Sequence, residues 1–317
     1  MTTIPKDILQ ASKLYSPGPI PQHIELNIDF SHRSPEFRNL YSGTIKKLRD
    51  KFKIPDKYEI IFTQGSGTSA IETILSCVKG FPRWHSTGTF TQRSIEMSKF
   101  YGGKPGTNRG YHYYTQFETS ESRYYSPEFR IDEEIKKEYP GNLLIVDCVS
   151  GFGFYPLPDS ANVIIASSSK ILGGLPAMGI ILYDKEALSR FEDHGDYLNI
   201  LKYIKYAKKN ETPHTSLIPQ LWSLNSALNN VISREQIEEN CRAVHSDKIQ
   251  FIGETVCPVL TIQVKDPDYW VQKFRKFNAE VYWNPAYMTD HFQVSAFNYR
   301  DPKYYHFVRE VLEGKVS

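Results

Sequence analysis

The stretch VIIASSSKILGGLPAMGIILY, residues 163–183, sets a single lysine between two strand-like apolar runs. Val163 to Ala166 and Gly179 to Tyr183 are rich in aliphatic residues and short enough to be strands rather than helices. Between them stand three serines, Lys170, a Gly-Gly pair and a proline, a mixture that breaks a strand. An ammonium held between core strands is costly unless it is paired or its nitrogen serves as a nucleophile.

Working outward, LLIVDCV (143–149) is a near-continuous apolar run, as expected of a parallel strand covered on both faces. VIIAS and GIILY read as two more such strands. Upstream, YEIIFTQ (58–64) reads as a strand ending in Gly65-Ser66-Gly67-Thr68, after which Ala70, Ile71, Ile74, Leu75 and Val78 keep helical spacing. Helices are also expected over Ser42–Phe52 and Gln92–Tyr101. Strands alternating with helices indicate an α/β fold with a mostly parallel sheet. From Ile249 a second alternation, PVLTIQV, YWVQKFRKF, HFQVSAF and YYHFVREVL, reads as a small terminal α/β layer. Residues 196–233 read as helical and polar-faced, with Lys202, Lys205, Lys208 and Lys209 on a solvated face. LYSPGPIP is too proline-rich for a helix. The expected organisation is an extended N-terminal arm (1–25), a large domain (26–233) and a small C-terminal domain (234–317).

The bulk properties narrow the function. Among 317 residues, 38 basic side chains nearly balance 36 acidic ones, so no nucleic-acid partner is implied. The cysteines Cys77, Cys148, Cys241 and Cys257 form no Cys-x-x-Cys pair and no zinc spacing, and a reducing compartment suits them. The N-terminus MTTIPKDILQ lacks a secretory pattern, and no apolar run approaches the roughly 20 residues that cross a bilayer. A cytoplasmic protein with no membrane partner is expected.

Three features carry chemistry. GSGTSAIE delivers a strand to a helix N-terminus, where backbone N–H groups and the helix dipole favour an anion such as phosphate. Ser66 and Thr68 add hydroxyl donors, although such a turn can also be purely structural. Asp147 closes an apolar strand, where it is either a helix cap or a carboxylate awaiting a cation. Lys170 follows the next strand. Together these match the needs of pyridoxal 5'-phosphate: a lysine for the Schiff base, an aspartate for the pyridine nitrogen and a glycine-rich turn for the phosphate.

A series of motifs then appears in order: SPGPIP, SHRSPEF, LRDKFKIPDKYEIIFTQGSGT, TGTFTQRSIEMSKFYG, FETSES, LLIVDCVSGFG, SSSKILGGLPAMG and NETPHTSLIPQLWSL. Over about residues 16–241 the chain resembles the class V branch of fold-type-I pyridoxal-phosphate enzymes. It looks most like phosphoserine aminotransferases, then 2-aminoethylphosphonate and alanine/serine-glyoxylate aminotransferases. The resemblance implies that Ser66, Gly67 and Thr68, helped by Ser168, hold the cofactor phosphate. It places Phe90 on the pyridine ring and Thr119 and Ser120 near the phenolic oxygen. Asp147 and Lys170 keep the roles above. Thr212 and Thr215 would reach the phosphate of a neighbouring subunit, which implies a homodimer with shared active sites. His32 and Arg33 fall on a substrate-recognising His-Arg pair, although Arg33 could equally be structural, pairing with Glu36 or near Asp147.

The departures fall in the substrate half. Gln293 stands where the family has an arginine that grips the substrate α-carboxylate, and loss of that fork would cost on the order of 2 kcal/mol or more. YWNPAYMTDHF offers no counterpart to the basic residues that bind the phosphate of phosphoserine, and the terminal domain is short for the family. Ser169 replaces a Gln or Asn, and Arg300 is either a substitute cation or a surface residue. The leading expectation is an aminotransferase acting on a small-molecule amine. A decarboxylase or lyase on a specialised amine is the alternative, with a non-catalytic cofactor-binding protein behind both.

Overall fold

The structure is a computed structural model that describes residues 8, 12–17, 30–101, 110–125, 131–193, 195, 197–215 and 217–316. Its described residues divide between two compact units, a larger one drawn from 22–120 and 124–231 and a smaller one from 1–21, 121–123 and 232–317.

The larger unit is built on a six-stranded sheet. Its strands are β1 (Glu59–Gln64), β2 (Pro82–Trp84), β3 (Tyr111–Thr115), β4 (Leu143–Asp147), β5 (Val163–Ser167) and β6 (Met178–Tyr183), in the spatial order β1-β6-β5-β4-β3-β2. β2, β3, β4 and β5 pair in parallel. Every residue of β4, β5 and β6 is buried, as their unbroken apolar sequences require. One expectation needs correcting, because β6 is not parallel: it runs antiparallel to both β5 and β1. The ten residues 168–177 between β5 and β6 are too few for the crossover that a parallel return needs.

Three helices matter for the site. α1 (Pro35–Phe52) begins seven residues before the expected Ser42, because Ser34 caps it. The Ser34 hydroxyl accepts from the Phe37 N–H, Pro35 occupies the first turn and Glu36 meets the positive end of the dipole. α2 (Gly67–Cys77) follows β1, and its Ile71, Ile74 and Leu75 join Ile165 of β5 and Ile181 of β6 in the core. α3 (Thr89–Tyr101) starts three residues before the expected Gln92. The stretch 196–233 holds two helices, Ile200–Ala207 and Ile218–Ala227, and a 3-10 turn, Leu228–Asn230. Lys205, Lys208 and Lys209 are exposed and Lys202 is half-buried.

The smaller unit contains an antiparallel sheet of Gln250–Ile252, Val259–Gln263 and His291–Ser295. Helices Arg234–Val244, Pro267–Arg275 and Lys303–Leu312 accompany it, the alternation read from the sequence. Most of the expected arm lies outside the described residues, but Lys13–Leu14 pairs in parallel with Ala279–Glu280. All four cysteines are buried free thiols. No helix among the described residues is long and apolar enough to cross a membrane.

Candidate active site

Because β3, β4 and β5 run parallel, their carboxyl ends open on one edge of the sheet. Thr115 pairs with Asp147 in register there, and Asp147 with Ile165, two residues short of Ser167. A cavity of about 220 Å³ in the larger unit takes its walls from these ends and from the starts of α2 and α3. Ser66, Gly67 and Thr68 face it from one side and Phe90, Arg93 and Ser94 from another, while Asp147, Ser167, Ser169 and Lys170 also line it.

Lys170 is held by the tight loop between β5 and β6. Gly174 N–H donates to the Ser168 carbonyl at 2.7 Å, and the Ser168 hydroxyl donates to the Leu175 carbonyl at 2.6 Å. Gly174 must be glycine, since a Cβ there would lie 2.9 Å from the Ser168 carbonyl oxygen and 3.2 Å from Leu224 Cα. Burial pushes the Lys170 ammonium down to about 8, against the pull of Asp147 and with some help from Arg93. Asp147 is 4 % exposed and accepts from the Val149 N–H at 2.9 Å. Burial pushes its carboxyl up to about 7 and the nearby Glu118 adds to the rise, while the Val149 N–H, Arg93 and Tyr113 oppose it.

The start of α2 is open. Ser66 occupies the cap position, but its side chain makes no cap hydrogen bond. The first-turn N–H groups, which no earlier helical carbonyl can satisfy, are left without that side-chain acceptor. Gly67 packs so closely that a Cβ would meet Val149 Cγ2 at 2.6 Å. Thr68 Oγ1 accepts from Arg93 Nη1 at 2.9 Å, and the Arg93 guanidinium lies 4.9 Å from the centre of the Phe90 ring.

The start of α3 is closed. Glu118, fully buried, accepts from the N–H groups of Thr91 at 3.1 Å, Phe90 at 3.5 Å and Ser120 at 3.2 Å. The Ser120 hydroxyl adds a 2.6 Å bond. A Cβ on Gly88, whose φ is +95°, would meet Glu118 Cγ at 2.3 Å, so the carboxylate and the glycine require each other. Burial raises the Glu118 carboxyl, and these donors pull the other way.

The structure brings together Ser66, Gly67, Thr68, Phe90, Asp147 and Lys170 of the residues read from sequence. The others lie elsewhere. The Ser168 hydroxyl is spent on the lysine loop. Ser120 is spent on Glu118 and on the Thr89 N–H, and Thr119 is buried without lining the cavity. Thr212 donates to the His214 carbonyl at 2.8 Å, and the Thr215 carbonyl accepts from the Gln64 amide. Arg33 corrects both partners suggested by sequence: it pairs with Glu211 at 2.6 Å, which also binds Arg38. Burial, and then the charge of Arg33, lower the pKa of His32. Gln293 lies in the smaller unit, 2 % exposed, its amide donating to Thr261 Oγ1 at 3.0 Å. Arg300 is exposed.

Two participants went unread in the sequence, Arg93 and Glu118. Each had a signal. Arg93 is one helical turn beyond Phe90, and Glu118 directly precedes Thr119 in FETSES.

No protein-family model matches the chain. It is 25% identical over 235 residues to an uncharacterized aminotransferase of Helicobacter pylori strain J99, covering 65% of this chain and 63% of that protein. It is 26% identical over 232 residues to the phosphoserine aminotransferase of Halalkalibacterium halodurans, covering 67% and 63%. The chain therefore spans just under two thirds of the length of these curated relatives. Among solved structures, an aspartate aminotransferase of subgroup IV from Thermus thermophilus superposes with a TM-score of 0.82 at 19% identity, over 96% of this chain and 100% of that one. The fold is that of the fold-type-I aminotransferases. The curated relatives, matched by sequence, are aminotransferases.

Proposed function

We propose that the chain is a pyridoxal-5'-phosphate-dependent aminotransferase that moves an amino group from a small-molecule amine to a keto or aldehyde acceptor. The observation that carries this reading is the convergence of Lys170, Asp147 and the open start of α2 on one cavity. The donor set fits the cofactor. A partly buried lysine whose ammonium gives up its proton easily, a buried carboxylate and uncapped helix amides are what an aldehyde, a pyridine nitrogen and a phosphate require.

When bound, the cofactor supplies an electron sink for the pair left at the substrate Cα. The chain supplies the rest. Lys170 Nζ is the covalent anchor and afterwards the base that carries the Cα proton. With its pKa lowered to about 8, a useful fraction is neutral near neutral pH. Asp147 takes the pyridinium as the cationic partner its buried carboxylate needs. Ser66, Gly67 and Thr68 receive the phosphate, and Phe90 covers the ring. Several roles rest on resemblance alone: Thr119 and Ser120 near the phenolic oxygen, Ser168 at the phosphate, Thr212 and Thr215 reaching a second subunit of a homodimer, and His32, Arg33 and Gln293 at the substrate. A cytoplasmic location belongs to the same reading. Neither the cavity nor the relatives named above favour the decarboxylase or lyase alternative.

The test is the visible spectrum of the purified protein with added cofactor, titrated with glutamate, alanine, phosphoserine and 2-aminoethylphosphonate. A lysine-bound cofactor band should form and then bleach with one donor, releasing stoichiometric pyridoxamine phosphate. Lys170→Ala should lose the band and lower turnover by about 10³-fold or more. A wild-type protein with no band, or a Lys170→Ala variant that keeps it, refutes the assignment.

A further inference from the structure

We infer that Arg93 is a ligand of the cofactor phosphate, supplying the fixed positive charge that the rest of the open cradle lacks. The inference rests on the reading of this cavity as a pyridoxal-phosphate site. Ser66, Gly67 and Thr68 offer N–H and hydroxyl donors but no full charge, whereas a phosphate monoester carries nearly two negative charges at neutral pH. Lys170 is required elsewhere.

Three observations place Arg93. Its Nη1 already donates to Thr68 Oγ1 at 2.9 Å, so the guanidinium reaches the first turn of α2. Its Cζ lies 4.9 Å from the Phe90 ring centre, which lays the exposed side chain along the cavity mouth. No carboxylate among the described residues forms an ion pair with it. One of its five N–H donors is used on Thr68, and the others remain for phosphate oxygens. Its charge is also felt at the cavity floor, where it acts on both Asp147 and Lys170.

The alternatives give different signatures. A guanidinium serving only to pack on Phe90 would affect every ring ligand equally. One that reads an acidic group of the amino donor would affect the donor and leave the cofactor alone.

The experiment compares wild type, Arg93→Met and Arg93→Lys in binding pyridoxal 5'-phosphate and pyridoxal, followed by the lysine-bound absorbance. The aldehyde and ring are common to both probes, and only the phosphate differs. Arg93→Met should weaken pyridoxal 5'-phosphate by about tenfold or more and leave pyridoxal within about twofold, with Arg93→Lys between. Equal losses for both probes, or no loss for either, overturn the inference while the cofactor reading stands. A raised KM for the amino donor with unchanged cofactor affinity also overturns it, assigning Arg93 to the substrate. If wild type binds neither aldehyde, the cofactor reading falls and the inference falls with it.

Discussion

Two helices begin at the same cavity and their ends could hardly be more different. α3 starts on a fully buried carboxylate, with Glu118 accepting from three backbone N–H groups and two hydroxyls. α2 starts on Ser66, whose side chain caps nothing. A helix start near a cavity leaves orphan N–H groups that something must satisfy. At α3 the chain satisfies them itself, which freezes the helix that presents Phe90 and Arg93. At α2 the cap side chain satisfies none of them. On the reading proposed above, the closed end fixes the cavity wall and the open end would take the anion.

The comparison can be attacked where the two ends meet, at Asp147. Its carboxyl is raised from an ordinary 3.8 to about 7, so below pH 4 both folded and unfolded chains carry the proton. As pH rises towards 7 the unfolded chain loses that proton first, and the cofactor-free protein loses stability. The loss is complete above pH 7 and amounts to up to about 4 kcal/mol. Asp147→Asn should flatten this decline in urea titrations between pH 4 and 7, while cutting turnover with cofactor by about 10²-fold or more. A variant with the wild-type pH profile would show that other charges set the balance.

Gly67→Ala strikes the open end directly. The added methyl meets Val149, and overpacking of that kind costs about 1–3 kcal/mol. Cofactor affinity should fall together with the melting temperature. Unchanged affinity in a destabilised protein would mean that the cradle does not depend on this approach.

Glu118→Gln tests the closed end. Both carboxylate oxygens accept N–H groups, so the carboxamide sets an NH2 against a donor, for a loss of about 1–2 kcal/mol. It also removes one cause of the high Asp147 pKa, so the stability decline of the cofactor-free protein should move to lower pH. No movement would separate the cap from the carboxylate chemistry. The smallest effect belongs to Ser233→Ala, which removes a complete capping box far along the chain. It should cost about 1 kcal/mol and leave cofactor affinity unchanged.

What the sequence showed and hid follows the range of the interactions. Strands β4 and β5, the glycine turn and the Asp147–Lys170 pair were legible because apolar runs and strand ends are local patterns. The early start of α1 was also local, in Ser34-Pro35-Glu36, but the helical spacing drew attention to its later half. The reversal of β6 was hidden because an apolar strand looks alike in either direction, and only the length of the connection decides. Glu118 closes a helix that begins 29 residues earlier, at Thr89, and the Arg33–Glu211 pair spans 178 residues. No periodicity marks such partners. The substrate role expected of position 293 rests on resemblance alone; in the structure the Gln293 amide is engaged with Thr261 inside its own unit.

The reversed strand also bears on how the protein is made. β5, the lysine loop and β6 form a local hairpin, while most sheet neighbours are joined through long connections. Local pairs close quickly because little chain entropy is lost in bringing them together. The two strands flanking Lys170 can therefore pair as soon as residues 163–183 are available, with β1 and the glycine turn already made upstream. The loop between them is completed later, when helix Ile218–Ala227 arrives and the Ser223 hydroxyl accepts from the Leu175 N–H at 2.9 Å.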